Sequence, residues 1–143
     1  MKISFVVIVL LAFSLISATT APETCNSEAF ANECVPKLTT GFNFLKSYKI
    51  DGISKDKVEF SYVFTKGTQY LINLCANATA SPTDGIVISI FDKDRNKVAS
   101  NKISGQYVSA IAFPCNATGI YYIQYTFDDP SSHCGGSAMG FKR

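Results

Sequence analysis

Past Gly41 the chain alternates apolar and polar side chains with a period of two, and it keeps that period to its C-terminus. In GIYYIQYTF, residues 119–127, Tyr121, Ile123, Tyr125 and Phe127 share one face, and Ile120, Tyr122, Gln124 and Thr126 share the other. The first face is expected to be core and the second open, so the dense tyrosines are mostly wall and not binding surface. Val58, Phe60, Tyr62 and Phe64 stand against polar Glu59, Ser61 and Thr65, Tyr70, Ile72 and Leu74 follow at the same spacing, and the KGT turn between these two runs predicts a hairpin. Phe44, Tyr48 and Ile50 form an earlier run in which Lys46 is out of phase, and Ile86, Ile88 and Ile90 a later one. KVASN, YVSAIAF and the closing GGSAMGF read as further short strands. The only helical spacing lies upstream, in NSEAFANECVPKL, where Phe30, Cys34 and Leu38 recur every four residues. Asn26 or Ser27 caps this helix, Glu28 suits its first turn, and Pro36 should kink or end it, which gives a helix over about 26–39. The pattern predicts a mainly β fold, an antiparallel β-sandwich or jelly roll of about eight strands with one short N-terminal helix.

Residues 1–20 stand outside this pattern. Met1-Lys2, the apolar run ISFVVIVLLAFSLI and the small residues SATTA are the three parts of a secretory signal peptide, with cleavage expected between 18 and 21. Residues 21–143 then form a single exported domain, in the periplasm, at the cell surface or outside the cell, with no transmembrane segment in the mature chain. The whole chain carries 13 Lys and Arg against 11 Asp and Glu, and removing Lys2 leaves an excess of one, with the signs interspersed. Nothing in that balance draws nucleic acid or an anionic membrane.

Export makes disulfides the expected state of Cys25, Cys34, Cys75, Cys115 and Cys134, and their odd number leaves one sulfur over. Cys25 and Cys34 at opposite ends of one helix are too far apart to bridge each other. Each reaches elsewhere; the expected pairs are Cys75 with Cys115, and Cys134 with Cys25 or Cys34.

The order GTQYLINL, DGIVISIFDKDRNKV and IAFPCNATGIYYIQY, over roughly residues 58–142, resembles the bacterial pre-peptidase C-terminal domain. That resemblance implies a jelly-roll sandwich of the kind appended to secreted peptidases as a non-catalytic accessory module. The signal peptide, small size and closing GF strand are also similar to short exported proteins of Bacteroidota that carry no assigned activity. The N-terminal helix, the five cysteines and the expectation that the domain stands alone depart from the family pattern.

Several residues invite chemistry. His133 beside Cys134 suggests a nucleophile pair, yet neighbours in an extended segment point to opposite sides, and Cys134 is expected in a bridge. Asp128 and Asp129 are adjacent carboxylates in a turn, poorly placed for acid–base hydrolysis. Asp92, Asp94 and Asn96 have the spacing of a calcium loop without its later glycine and glutamate, so a charged hairpin turn is the stronger reading, although an unlike site completed by Asp84 or Asp128 stays open. Two NAT triplets offer Asn77 and Asn116 as glycan acceptors in a host that modifies asparagine. Tyr48, Tyr107 and Tyr122 are the candidate ligand-facing aromatics, in a chain without tryptophan. Together these predict a non-catalytic exported module, without cofactor or metal, that binds a glycan or another exported protein. A structural subunit joined to its own copies through the odd cysteine or an edge strand is the alternative, and the sequence sets no oligomeric state.

Overall fold

The computed structural model describes residues 19, 24–76, 85–129 and 131–143. Ten strands and one helix follow in chain order: α1 (Ser27–Cys34), β1 (Asn43–Asp51), β2 (Lys57–Phe64), β3 (Gln69–Ala76), β4 (Ile86–Phe91), β5 (Lys97–Ser100), β6 (Lys102–Ile103), β7 (Gln106–Tyr107), β8 (Ala110–Pro114), β9 (Gly119–Phe127) and β10 (Cys134–Lys142). Eight of them make two antiparallel four-stranded sheets, ordered β1-β10-β3-β8 and β2-β9-β4-β5. β6 and β7 form a separate two-stranded ribbon. The predicted β-sandwich with a short N-terminal helix is therefore present. The signal-peptide expectation and Asn77 and Asp84 lie outside the described residues, among which no helix is long and apolar enough to cross a membrane.

The core forms where the inner faces meet. Tyr48, Ile50, Tyr70, Ile72, Leu74 and Met139 come from the first sheet; Phe64, Ile86, Ile88, Ile90, Tyr121, Ile123 and Tyr125 come from the second. Phe64 stacks on Tyr70 at 4.0 Å and on Tyr121 at 4.9 Å between ring centroids. Ile88, Ile90 and Ile123 are fully buried, and burial on that scale stabilises by roughly 1.5–3 kcal/mol per side chain.

Three local expectations are corrected. β2 and β3 do not form a hairpin: β2 pairs with β9, and β3 with β10 and β8, so residues 65–68 carry the chain from one sheet to the other. Both runs present large aromatics inward, and the Phe64–Tyr70 stack is made across the sandwich, not along one sheet. Tyr70 then ties the crossing, its hydroxyl accepting from the Thr65 amide at 2.8 Å. In β1 the register shifts between Phe44 and Lys46, so Leu45 turns toward the core while Phe44 is left exposed; the out-of-phase Lys46 marks this bulge. The helix is shorter than 26–39, because a 3-10 turn over Val35–Lys37, containing Pro36, replaces its last part.

Asn26 caps α1, its side-chain oxygen accepting from the Ala29 amide at 3.3 Å. The helix lies on the outer face of the first sheet, against β10, β1 and β3. It sits so close that a Cβ on Gly136 would meet the Ala31 nitrogen at 2.0 Å, so this position needs glycine for space. Two disulfides hold the layer down: Cys34–Cys75, with Cα atoms 5.6 Å apart, and Cys25–Cys134, 5.4 Å apart. The predicted Cys75–Cys115 bridge is absent, and Cys115 is a buried free thiol. Cys115 sits beside Thr68, its amide donating to the Thr68 carbonyl at 3.0 Å. Cys75 lies seven residues further along, about 20 Å at the strand rise, beyond the reach of a disulfide. Two bridges fit an oxidising, exported environment.

Asn101, fully buried, finishes the second sheet. β5 ends at Ser100, and from there the Asn101 side chain takes over as partner of β4. It accepts from the Ile88 amide at 2.7 Å and donates to the Ile86 carbonyl at 3.1 Å. It also donates to the Val108 carbonyl at 3.2 Å, and its own carbonyl accepts from the Val108 amide at 2.9 Å. Both feet of the β6–β7 ribbon are thereby fixed to one residue.

Candidate functional site

β1 and β9 finish at the same end of the sandwich, and there an open groove of about 830 Å³ is lined by Gly52–Asp56, Phe127, Asp128 and His133. Its volume lies within the range of ligand pockets. The β1–β2 loop can fold into the groove wall because Gly52 has no side chain; a Cβ there would meet the Phe127 ring at 2.2 Å. The Gly52 amide donates to the His133 carbonyl at 2.8 Å, which fixes the backbone that presents His133. Asp51 caps the same loop, its carboxylate accepting from the Ile53 amide at 3.1 Å. A smaller cavity of about 210 Å³, lined by Thr24, Cys25, Asn26, Phe30, Ser131, His133 and Cys134, shares His133 with the groove.

Asp128 is the best-organised charge on the rim. One of its oxygens accepts from the Lys102 ammonium at 2.5 Å and from the Tyr107 hydroxyl at 2.7 Å. Lys102, and then Tyr107, hold its carboxyl below the usual range, and the same contact raises both the Lys102 and the Tyr107 groups. The ribbon that Asn101 anchors therefore delivers two side chains to Asp128, one of the groove's lining residues. The result is a fixed anion, a second carboxylate on Asp56, the Lys55 ammonium, an imidazole and the edge of a phenyl ring around one concavity. Such a set offers hydrogen bonds of both polarities and an apolar wall to a hydroxyl-rich ligand.

The three candidate aromatics do not form one platform. Tyr107 reaches the groove only through Asp128, to which its hydroxyl donates. Tyr48 is corrected to a core residue: only 2 % exposed, it packs on Phe60 at 4.7 Å, because two residues before Ile50 on the same strand it shares the inner face with it. Its hydroxyl is buried without a hydrogen-bond partner, and burial pushes the phenol well above its ordinary value. Tyr122 lies on the outer face of the second sheet, with the Arg95 guanidinium 3.6 Å from its ring centroid. Arg95 is held there by Glu59 at 2.9 Å, and Glu59 also accepts from Gln124 at 3.0 Å. The face of Tyr122 that a sugar would stack on is thus occupied by a cation. Asp128, which holds Tyr107, lies six residues beyond Tyr122, just past the end of β9, about 20 Å away at the strand rise.

The catalytic and metal candidates meet other partners. Cys134 is bridged to Cys25, so its sulfur is not a nucleophile in this state. Asp129 turns away from Asp128, its carboxylate accepting from the Ser131 amide at 2.9 Å and hydroxyl at 2.8 Å. One Asp92 oxygen accepts from the Asp94 and Asn96 amides, both at 2.9 Å, and the other from the Asn96 side chain at 3.1 Å. Asp94 pairs with Lys93 at 2.7 Å. The calcium-like spacing thus serves as a capped hairpin turn, and among the described residues no three His, Cys, Asp or Glu side chains are placed to hold a metal.

Sequence reasoning missed Phe127, Lys55 and Asp56 as groove residues, and Lys102 as the partner of Asp128. Phe127 reads as core because it continues the inner face of β9, and Lys102 reaches Asp128 across 26 positions. Neither relation leaves a local pattern. No protein-family model matches the chain, and no curated protein matches it.

Proposed function

We propose that the protein is an exported, non-catalytic β-sandwich module that binds a glycan in the groove between the β1–β2 loop, the end of β9 and His133. The observation that carries the reading is the Asp128 carboxylate, held ionised by Lys102 and Tyr107 on the rim of a concavity walled by Phe127. An ionised carboxylate fixed in place accepts two sugar hydroxyls without reorganising, and Phe127 adds an apolar wall against which the C–H groups of a pyranose can pack. The kinship with pre-peptidase C-terminal domains belongs to the same proposal, since an accessory module needs a binding surface and no reaction centre.

A screen of the mature protein against soluble and immobilised glycans, followed by calorimetry on any hit, tests this. Asp128→Ala and Lys102→Ala are expected to weaken binding at least tenfold, while Arg95→Ala on the other face leaves it unchanged. Binding that ignores Asp128 but follows Arg95, or capture of an exported protein without any glycan hit, moves the site off the groove. Hydrolysis of an ester, peptide or glycoside that His133→Ala abolishes would overturn the non-catalytic reading.

A further inference from the structure

The end of the sandwich opposite the groove holds a feature the binding reading does not use. Asn116, Ala117 and Thr118 occupy the turn between β8 and β9, and all three are exposed. Asn26, Asn73, Asn96 and Asn101 each make side-chain hydrogen bonds that cap a helix, join strands or close a turn. Asn116, like Asn32 and Asn43, makes none among the described residues, and of these three only Asn116 begins an Asn-X-Thr triplet. Beside it lies an apolar patch: Val63 and Ile120, opposite each other in register, are 56 % and 49 % exposed, and Val98 is 41 % exposed. Val98, Ala117, Thr118 and Ile120 line one side of a shallow cavity of about 250 Å³, and the charged turn of Asp92, Lys93 and Asp94 lines the other. An exported domain that leaves such a patch bare invites association.

We infer that Asn116 is an N-glycosylation site and that its oligosaccharide covers the Val63–Ile120–Val98 patch. The donor is a polyprenyl diphosphate-linked oligosaccharide. The Asn116 Nδ2 attacks the anomeric carbon, an N–C bond forms, and the carbon–oxygen bond to the diphosphate breaks. The polyprenyl diphosphate leaves with the electron pair, and the amide gives up one proton. Thr118 Oγ1 accepts from the Lys66 amide at 2.9 Å, which leaves its O–H and a second lone pair for an Asn-X-Thr acceptor to present. The turn and the groove lie at opposite ends of β9, about 25 Å apart at the strand rise, so the modification leaves the groove open.

The test is glycopeptide mapping of the protein purified from the exported fraction of its own cells. The peptide containing Asn116 is expected to carry an oligosaccharide, and peptide-N-glycosidase is expected to convert that residue to aspartate. Asn116→Gln should lose one oligosaccharide in mass, Thr118→Ser should keep it, and Asn77→Gln should leave the Asn116 peptide modified. An unmodified Asn116 peptide, or modification confined to Asn77, overturns the assignment. Enzymatic removal from the folded protein should raise light scattering several-fold; unchanged scattering overturns the shielding role. A modified Asn116 would place the chain in a pathway with an oligosaccharyl transferase, and the likeness to exported Bacteroidota proteins would then be one of fold.

Discussion

Asn101→Ala removes three hydrogen bonds from a fully buried position without touching the groove itself. The Ile88 amide and the Ile86 and Val108 carbonyls lose their partner, and alanine brings nothing to replace it. A buried polar group left unpaired costs about 1–3 kcal/mol. The two β4 groups lie between core isoleucines, whereas Val108 is 40 % exposed and regains water. Counting two full penalties and a small third, the loss is about 3–5 kcal/mol, a large share of the roughly 5–15 kcal/mol that holds a domain of this size. Urea unfolding with both disulfides intact reads this as a lower midpoint at unchanged slope. The variant also frees the feet of the β6–β7 ribbon, so amide exchange should rise at Val108 and Tyr107 before it rises in β9. Asn101→Asp keeps one acceptor but buries a charge, and burial raises its pKa above the unfolded value. Its folded state then binds the extra proton, so its deficit should be largest at neutral pH and shrink on acidification. A loss below about 1 kcal/mol for Asn101→Ala, far under one full buried penalty, would refute the view that this side chain stands in for a strand.

Tyr48→Phe deletes a buried hydroxyl that has no partner, so thermal unfolding should show unchanged or higher stability, and glycan binding should be unaffected; a marked loss of either would restore Tyr48 to the surface. Thiol titration should find no accessible group in the native protein and one, Cys115, after denaturation without reductant. Peptide mapping should recover Cys25–Cys134 and Cys34–Cys75, and recovery of Cys75 with Cys115 would contradict the placement of α1. The Asp128 carboxyl is depressed by Lys102 and Tyr107, so the contribution of this contact is present above the unfolded carboxylate pKa and is lost as pH falls through the lower folded value. Carboxyl-carbon NMR should show that depressed titration, with glycan affinity falling in the same interval; titration at or above the ordinary value would mean the ribbon does not hold Asp128. Because the pair is well exposed, the effect on global stability should be small.

The parts of this fold that were legible in the sequence are those whose cause is local. Tyr121, Ile123 and Tyr125 face inward because strand geometry sends alternate side chains to opposite faces, and no partner strand needs to be known to see it. The hairpin expected between β2 and β3 failed for the complementary reason: a Gly-containing turn joins two strands of one sheet or crosses between two sheets with nearly the same residues. What decides is whether Phe64 and Tyr70 stack across the core, a contact that only the finished sandwich defines. The cysteines obey the same division. That Cys25 and Cys34 do not bridge each other follows from helix rise alone, whereas Cys34 finds Cys75 because Gly136 lets α1 settle on the outer face beside β3, and a glycine among the glycines of GGSAMGF gives no sign of what lies over it. The groove is the extreme case. Asp128 and His133 were singled out as chemical residues but for a catalytic role, and the partners that give Asp128 its present one come from a ribbon 21 and 26 positions earlier in the chain. A polar residue's role is set by what the topology brings to it, so Asn101, unremarkable in the sequence, and Asp128, read there for other chemistry, become the two residues on which the end of the sandwich is built.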